Sequence, residues 1–354
     1  VILRKEHVRT LPVALFDRLD QLTSPRLVEY WEQDPCPDDP SPDPSTGARE
    51  GGRGSPGTSE GGFAVAARPA VRVEAEFPVD EYDVLVLSAD DSTSLEAWLR
   101  QNRYHLPDGI EPYLQPYILS GSKFLVARVN IQRVRFLWGR AQLSPLRFHY
   151  DSDRFELPIR LGLANASGPQ DLVIHILAPR DQRYEVANYD NVFIPTNLGV
   201  SETVRGQFPS FYASLFDRTV AGKPRAVVTE YAWSSSSCDP CPIPPLDPES
   251  LDQLGASELP AAERHDMTVT RLHARYGRES VGDDLVFRQA PPVGGGRDSS
   301  GPLPTGAHPG STNSFQARYI VRHPWTGAIA CARPDFGRWG GPPDALPPPP
   351  PPRS

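Results

Sequence analysis

The sequence predicts an α+β protein, a mixed and mostly antiparallel sheet with helices packed on it and two long disordered inserts. Three observations carry this expectation. Short runs that alternate apolar and polar residues recur along the chain, the period of half-buried strands. Several of them follow one another between residues 144 and 195 with turn residues between, as an antiparallel meander does. The 41 prolines and 28 glycines, almost a fifth of the chain, cluster instead of spreading, which marks linkers between folded parts.

Residues 1–6 read as a strand. Thr10 is placed to cap a helix with Pro12 in its first turn, and Val13, Phe16, Leu19 and Leu22 recur at helical spacing. The run PRLVEYWEQDPC ends at Cys36, and residues 37–62 then hold no hydrophobic periodicity. Order resumes with the alternating VRVEAEFPV and the more continuous YDVLVLS, a central strand. A helix follows in which Asp91 or Ser92 caps and Leu95, Trp98 and Leu99 face inward. IEPYLQPYILSG reads as a second helix and KFLVARVNI as the strand that completes a strand–helix–helix–strand unit.

Residues 144–168 read as a hairpin, with Asp151-Ser152-Asp153 at its turn and Pro158 at an edge or bulge. Phe148, Leu157, Ile159 and Leu161 are its core residues. DLVIHILA, residues 182–187 and residues 191–195 continue the meander. A helix over 209–220, a strand over 226–233, a short helix over 247–254 and strands over 268–276, 284–288 and 315–323 complete the order. The expected organisation is therefore an N-terminal part of the fold (1–36), a flexible insert (37–69) and a main α+β region (70–289). A Gly/Pro-rich insert (290–313), a C-terminal strand with a Cys-bearing loop (314–339) and a polyproline tail (340–354) follow.

Charge narrows the function classes. The formal net charge of −8 gives no electrostatic footprint for nucleic acid or anionic lipid. Only Lys5, Lys123 and Lys223 among the 36 basic residues are lysines. Arginine beside an aromatic residue (Arg135-Phe136, Arg147-Phe148, Arg318-Tyr319) reads as a solvated charge next to a core-facing ring. No apolar run approaches the roughly 20 residues of a membrane span. The chain opens without methionine inside a strand-like pattern, so a truncated or processed N-terminus is expected. There is no GxSxG elbow, no P-loop and no GxGxxG after a strand.

The four cysteines, Cys36, Cys238, Cys241 and Cys331, all lie in Pro- or Gly-rich contexts. That placement suits loop-stapling disulfides in an oxidising compartment, with three connectivities open. Zinc is the second reading, and it needs Cys36 and Cys331, or His273 or His323, to converge on Cys238 and Cys241. A redox pair is the third, although Pro242, Pro244 and Pro245 keep Cys241 from entering a helix as a thioredoxin-like site requires. Asp151 and Asp153 lack the further oxygen ligands of a calcium loop, and Asp90-Asp91-Ser92 reads as a helix cap. His149, His175, His273 and His323 fall on strands without HxH or HExxH spacing, and His265-Asp266 sits in a polar loop. Trp138, Trp233 and Trp325 are candidates for a carbohydrate-binding surface.

Several blocks in order carry a resemblance: PRLVEYWEQDPC, EYDVLVLSADDSTSLEAWL, SPLRFHYDSDRFELPIRLGLANASGPQDLVIHIL and YEVANYDNVFIPTNL. FYASLFDR, VVTEYAW followed by CDPC, TRLHARY, DDLVF and FQARYIVRHPWTG with Cys331 continue it. Together they resemble a bacterial envelope family of uncharacterised proteins, domain-of-unknown-function family 2330, from about residue 1 to about residue 332 outside the inserts. The resemblance implies an exported protein whose precursor carries a signal peptide and a further cysteine-bearing segment. It implies no activity, cofactor or catalytic residue. The expected role is a non-catalytic periplasmic or envelope protein, structural or binding, whose partners are other envelope proteins.

Overall fold

A computed structural model describes residues 3–36, 70–137, 139–264, 267–296 and 304–342. The insert expected at 37–69, the polyproline run from 343, Trp138 and His265-Asp266 lie outside these residues.

The first strand is not where the alternation puts it. A 3-10 turn, Lys5–His7, is closed by hydrogen bonds between the backbones of Arg4 and His7 and from Arg4 N–H to His7 Nδ1, and strand β1 (Val8–Thr10) follows. Helix α1 (Val13–Thr23) has Pro12, not Thr10, at its cap position, because the Thr10 hydroxyl is drawn to Asp80. Leu15, Leu19 and Leu22 form its buried stripe, and strand β2 (Arg26–Glu32) comes next.

Strands β3 (Val71–Val79) and β4 (Tyr82–Ala89), helices α2 (Ser92–Gln101) and α3 (Glu111–Leu119) and strand β5 (Phe124–Val129) make the expected compact unit. β4 is central in an antiparallel sheet, and Leu87 packs with Leu95, Leu99, Leu114 and Ile118 of the two helices. Asp91 caps α2 by accepting the Ser94 N–H at 2.7 Å, a carboxylate placed where the helix dipole favours it. Strands β6 (Arg135–Leu137) and β7 (Arg140–Gln142) pair as an exposed ribbon.

Residues 144–168 do not form a hairpin. Strand β8 (Leu146–Phe148) pairs with β1, while β9 (Glu156–Leu157) pairs with the distant strand Leu285–Ala290. The expected return strand stops at Pro158, and the Asp284 carboxylate then accepts the N–H groups of Ile159 and Arg160, which start a 3-10 helix, Arg160–Ala164. Phe148 is consequently 46% exposed instead of in the core, while Leu157, Ile159 and Leu161 do pack against core clusters.

The remaining strands are β10 (Gln170–Pro179), β11 (Arg183–Val186), β12 (Asn191–Phe193), β13 (Leu198–Gly199), β14 (Val227–Ser234), β15 (Met267–Tyr276) and β16 (Leu285–Ala290). After them come β17 (Val293–Gly294), β18 (His308–Pro309), β19 (Ser314–Gln316), β20 (Arg318–His323) and β21 (Trp339–Gly340). Helices α4 (Phe208–Val220) and α5 (Pro248–Leu254) flank β14. The expected meander is replaced by long-range ladders: β10 pairs with β15, β11 with β16, and β12 with β14 in parallel.

The largest sheet has seven strands, ordered β10-β15-β14-β19-β17-β18 with β12 also on β14. α4 packs Phe216 and Val220 against Val228 and Ala232 on one face. α1 and α5 pack Leu19, Leu22 and Leu251 against Tyr231 and Trp233 on the other. Each such large apolar side chain contributes about 1.5–3 kcal/mol on full burial.

Part of the expected second insert belongs to this sheet, as β17 and β18. Its glycines serve close packing: a Cβ at Gly296 would collide with the Trp233 ring and the Ser314 carbonyl. β2 and β20 run parallel from Arg26↔Arg318 to Trp31↔His323, inside a sheet ordered β13-β20-β2-β21. No helix among the described residues is long and apolar enough to cross a membrane.

Candidate functional site

Three places gather chemistry-bearing side chains. The first is a charge cluster under α4. Residues 271, 273 and 275 lie on one face of β15 by strand alternation. β14 carries a register shift between Thr229 and Tyr231, so Glu230 is the extra residue of a bulge, a device that re-aims a side chain. The Glu230 carboxylate is fully buried and accepts from Arg271 Nε at 2.7 Å, from His273 Nδ1 at 2.6 Å and from the Tyr212 hydroxyl of α4. His273 Nε2 faces Asp171 Oδ1 at 3.0 Å, and Arg275 joins Asp171 to Asp217 of α4.

Arg271 also reaches Asp20 and Thr23 of α1, and His175 Nε2 lies 2.9 Å from the Thr23 hydroxyl and 3.3 Å from Arg271. Burial alone pushes the Glu230 carboxyl up, but the His273 hydrogen bond and the charges of His273 and Arg271 outweigh it and hold it below its ordinary value. Burial, helped by Arg271, brings His175 down to about 4. The cluster ties α1, α4 and three strands together with both oxygens of Glu230 engaged, the pattern of a satisfied buried network.

The second place is the loop Cys238-Asp239-Pro240-Cys241 after β14. Its cysteines form a disulfide of sequence separation 3, with Cys241 exposed and Cys238 half-buried against the core cluster that holds Trp233. Beneath it, Arg318 Nη1 donates to the Asp239 carbonyl at 2.9 Å and Arg26 Nη1 to the Pro240 carbonyl at 3.4 Å. Both guanidiniums come from paired positions on β2 and β20, and Arg318 is fully buried. Burial first, and then the like charge of Arg318, bring Arg26 down to about 10. The loop therefore rests on two arginine side chains that donate to its carbonyls. The other disulfide joins Cys36, just past β2, to Cys331, just past β20, across 295 residues.

The third place is a cleft of about 560 Å³ between α3, the start of β5 and residues 148–158. Phe148 and Tyr150, 46% and 49% exposed, stack at 6.3 Å with their rings 13° apart on its wall. Deeper in, the Tyr117 hydroxyl donates to Asp284 Oδ1 at 2.6 Å. Burial and then the Asp284 carboxylate raise the Tyr117 pKa, so this phenol stays a donor.

A family model described as an uncharacterized protein conserved in bacteria (DUF2330) matches residues 2–288. The chain belongs to this family. No curated protein and no solved structure matches it. The DUF2330 match holds all three places except Arg318 and Cys331, which lie past its end; the resemblance read from the sequence blocks runs further, to about residue 332.

In this DUF2330 chain the four cysteines meet as two separate pairs, Cys36 with Cys331 and Cys238 with Cys241. Among the described residues no group of three or more His, Cys, Asp or Glu side chains is placed to hold a metal ion, so the convergence a zinc site needs does not occur there. His323 pairs with Glu29 at 2.8 Å, and His149 lies beside Glu258 just past β8. Trp233 is only 9% exposed and donates to Ser237, and Trp325 is half-buried, so these two rings form no open platform.

The arginine–aromatic pairs also depart from expectation. Arg318 and Tyr319 are both fully buried, and Phe136 is 57% exposed. The Arg147 side chain is only 11% exposed and pairs with Glu258 while its neighbour Phe148 faces solvent. The Glu230 cluster is what sequence reasoning missed. Its signal was a glutamate inside the apolar run AVVTEYAW, a position where a charge is costly unless paired.

Proposed function

We propose that the protein works outside the cytoplasm, in the bacterial periplasm or cell envelope, as a non-catalytic protein with a binding or structural role. The observation that carries this reading is the Cys36–Cys331 disulfide, which ties the strand pair β2–β20 shut at its far end. Such bonds persist in oxidising compartments and are rare in the bacterial cytosol. The satisfied Glu230 cluster supports the non-catalytic half of the proposal, since a buried carboxylate whose two oxygens are already engaged serves to hold elements together. Other envelope proteins are the partners this reading assigns. The test is osmotic-shock fractionation of cells that express the complete gene at native level. The reading expects the protein in the periplasmic or envelope fraction; recovery in the cytosol would contradict it.

A second reading, carbohydrate binding, is favoured by the cleft and not by the tryptophans. Phe148 and Tyr150 offer ring faces for a sugar, and Lys123, Ser152 and Asp284 offer hydrogen-bonding groups nearby. A glycan array probed with the native protein and with Phe148→Ala plus Tyr150→Ala checks it. Hits that the double variant loses support the reading, and an array without hits contradicts it.

A further inference from the structure

We infer that the β6–β7 ribbon is a finger that seats on the surface of an anionic phospholipid bilayer. The residues of both its strands, Arg135–Leu137 and Arg140–Gln142, are all exposed. Among the described residues, none between 131 and 143 belongs to a hydrophobic core cluster. Yet Ile131, Phe136, Leu137 and Leu143, large apolar side chains along this stretch, all face solvent. A two-stranded ribbon is marginal by itself in water, and apolar side chains gathered on one mark a contact surface.

Charge says what that surface meets. Residues 112–150 hold Lys123 and five arginines but no aspartate or glutamate, in a chain whose formal net charge is −8. Two of these cations, Arg135 and Arg140, stand exposed on the ribbon, and among the described residues neither has an ion-pair partner. At the ribbon's base Asp83 is neutralised by Arg133, and Glu81 accepts the Ser144 N–H. The field of distant acidic groups fades within about 8 Å at physiological salt, so an exposed basic patch acts locally.

Register favours a bilayer over a protein groove. Arg135 pairs with Gln142, Phe136 with Ala141 and Leu137 with Arg140, and Gly139, at φ +73°, lets the chain turn between the last two. Opposite residues share a face and neighbours alternate, so Leu137 lies with Arg135 and Arg140 on one face and Phe136 on the other. A protein groove covers one face of a ribbon, whereas the interface of a bilayer takes both. The apolar side chains sink toward the acyl chains while the guanidiniums stay with the phosphates, which accept bidentate hydrogen bonds from them. β6 and β7 pair only with each other, so their outer backbone edges need water, which confines the ribbon to headgroup depth.

The experiment is co-sedimentation of the purified full chain with vesicles of phosphatidylcholine alone and of phosphatidylcholine mixed equally with phosphatidylglycerol. Its outcome is separable from the fractionation test, which reads the compartment in cells. Partitioning onto the phosphatidylglycerol vesicles is expected to be at least about tenfold stronger and to weaken as salt rises. Arg135→Gln plus Arg140→Gln is expected to lower it about tenfold or more, each cation near an anionic surface being worth roughly fivefold. Phe136→Ser plus Leu137→Ser is expected to lower it by about tenfold or more through lost apolar burial. The urea midpoint of both variants should stay that of the wild type, because the ribbon lies outside the core clusters. No binding to the phosphatidylglycerol vesicles, equal binding to both kinds, or binding that either folded variant leaves unmoved would overturn the inference. So would ribbon-dependent self-association, or ribbon-dependent binding of another protein, without vesicle binding. Should a variant fail to fold, hydrogen exchange of the wild type replaces it. Slower exchange across residues 131–143 on adding the phosphatidylglycerol vesicles supports the finger, and slowing only elsewhere, or none, overturns it.

Discussion

Glu230 sits at the residue where the main sheet departs from regularity, and its surroundings explain why a charge is tolerated there. The bulge adds a residue to β14, both carboxylate oxygens are engaged, and Arg271 and His273 supply the opposing charge and donors. Replacing one partner leaves the others buried without compensation, which costs about 3–5 kcal/mol in comparable buried pairs. Glu230→Ala is therefore expected to destabilise the protein by that order, measured as a shift of the urea midpoint at constant slope. Phe216, a fully buried neighbour on α4, would lose apolar packing if substituted, but the pH dependence of that loss would be flat.

At the scale of elements, His175 joins β10 to α1. Its Nε2 faces the Arg271 guanidinium, a donor, so the ring accepts there, which only neutral imidazole does. Burial first and then Arg271, opposed by Asp20 and Glu230, set its pKa at about 4 in the folded protein, against 6.5 ordinarily. A depressed histidine pKa means that the unfolded chain takes up a proton first as pH falls. The contribution is intact above pH 6.5 and is lost progressively between about 6.5 and 4, by as much as roughly 3 kcal/mol. Asp20, Asp171 and Glu230, whose pKa values are held down, add losses as pH falls through the carboxylate range. His175→Gln is expected to flatten the stability change between pH 7 and pH 4.5 relative to wild type, in denaturation curves taken at both pH values. An unchanged slope would count against the neutral-histidine joint.

The same scale shows what the sequence makes legible. α2 was readable because Asp91 and the leucines at 95 and 99 act within one turn or two of each other. The β4–β5 unit was readable for the same reason, since its apolar runs are long and its pairing nearly local. Residues 144–168 misled because alternation reports which face a side chain takes and is silent on the partner. β8 found β1 and β9 found β16, choices made by residues more than a hundred positions away. The Glu230 cluster was illegible in the same way, its partners being set by α4 and by a bulge that leaves no local mark. Glycines 294–296 resembled a low-complexity linker because glycine also serves where rings and carbonyls pack too closely for a Cβ.

Over the whole molecule, the strand pair β2–β20 brings together segments nearly three hundred residues apart, and Cys36–Cys331 fixes that meeting covalently. A chain-entropy argument gives a loop of that size about 6 kcal/mol and the CxxC loop about 2 kcal/mol. The long bond is thus the stronger stabilising tie of the two. The proposed envelope role rests on the long bond. The most direct test is a peptide map of the protein isolated from its native cells, alkylated before unfolding and digested without reductant. The account predicts a peptide containing Cys36 linked to one containing Cys331, and no crosslink from either to Cys238 or Cys241. Four alkylated free thiols, or zinc recovered in stoichiometric amount with them, would contradict it.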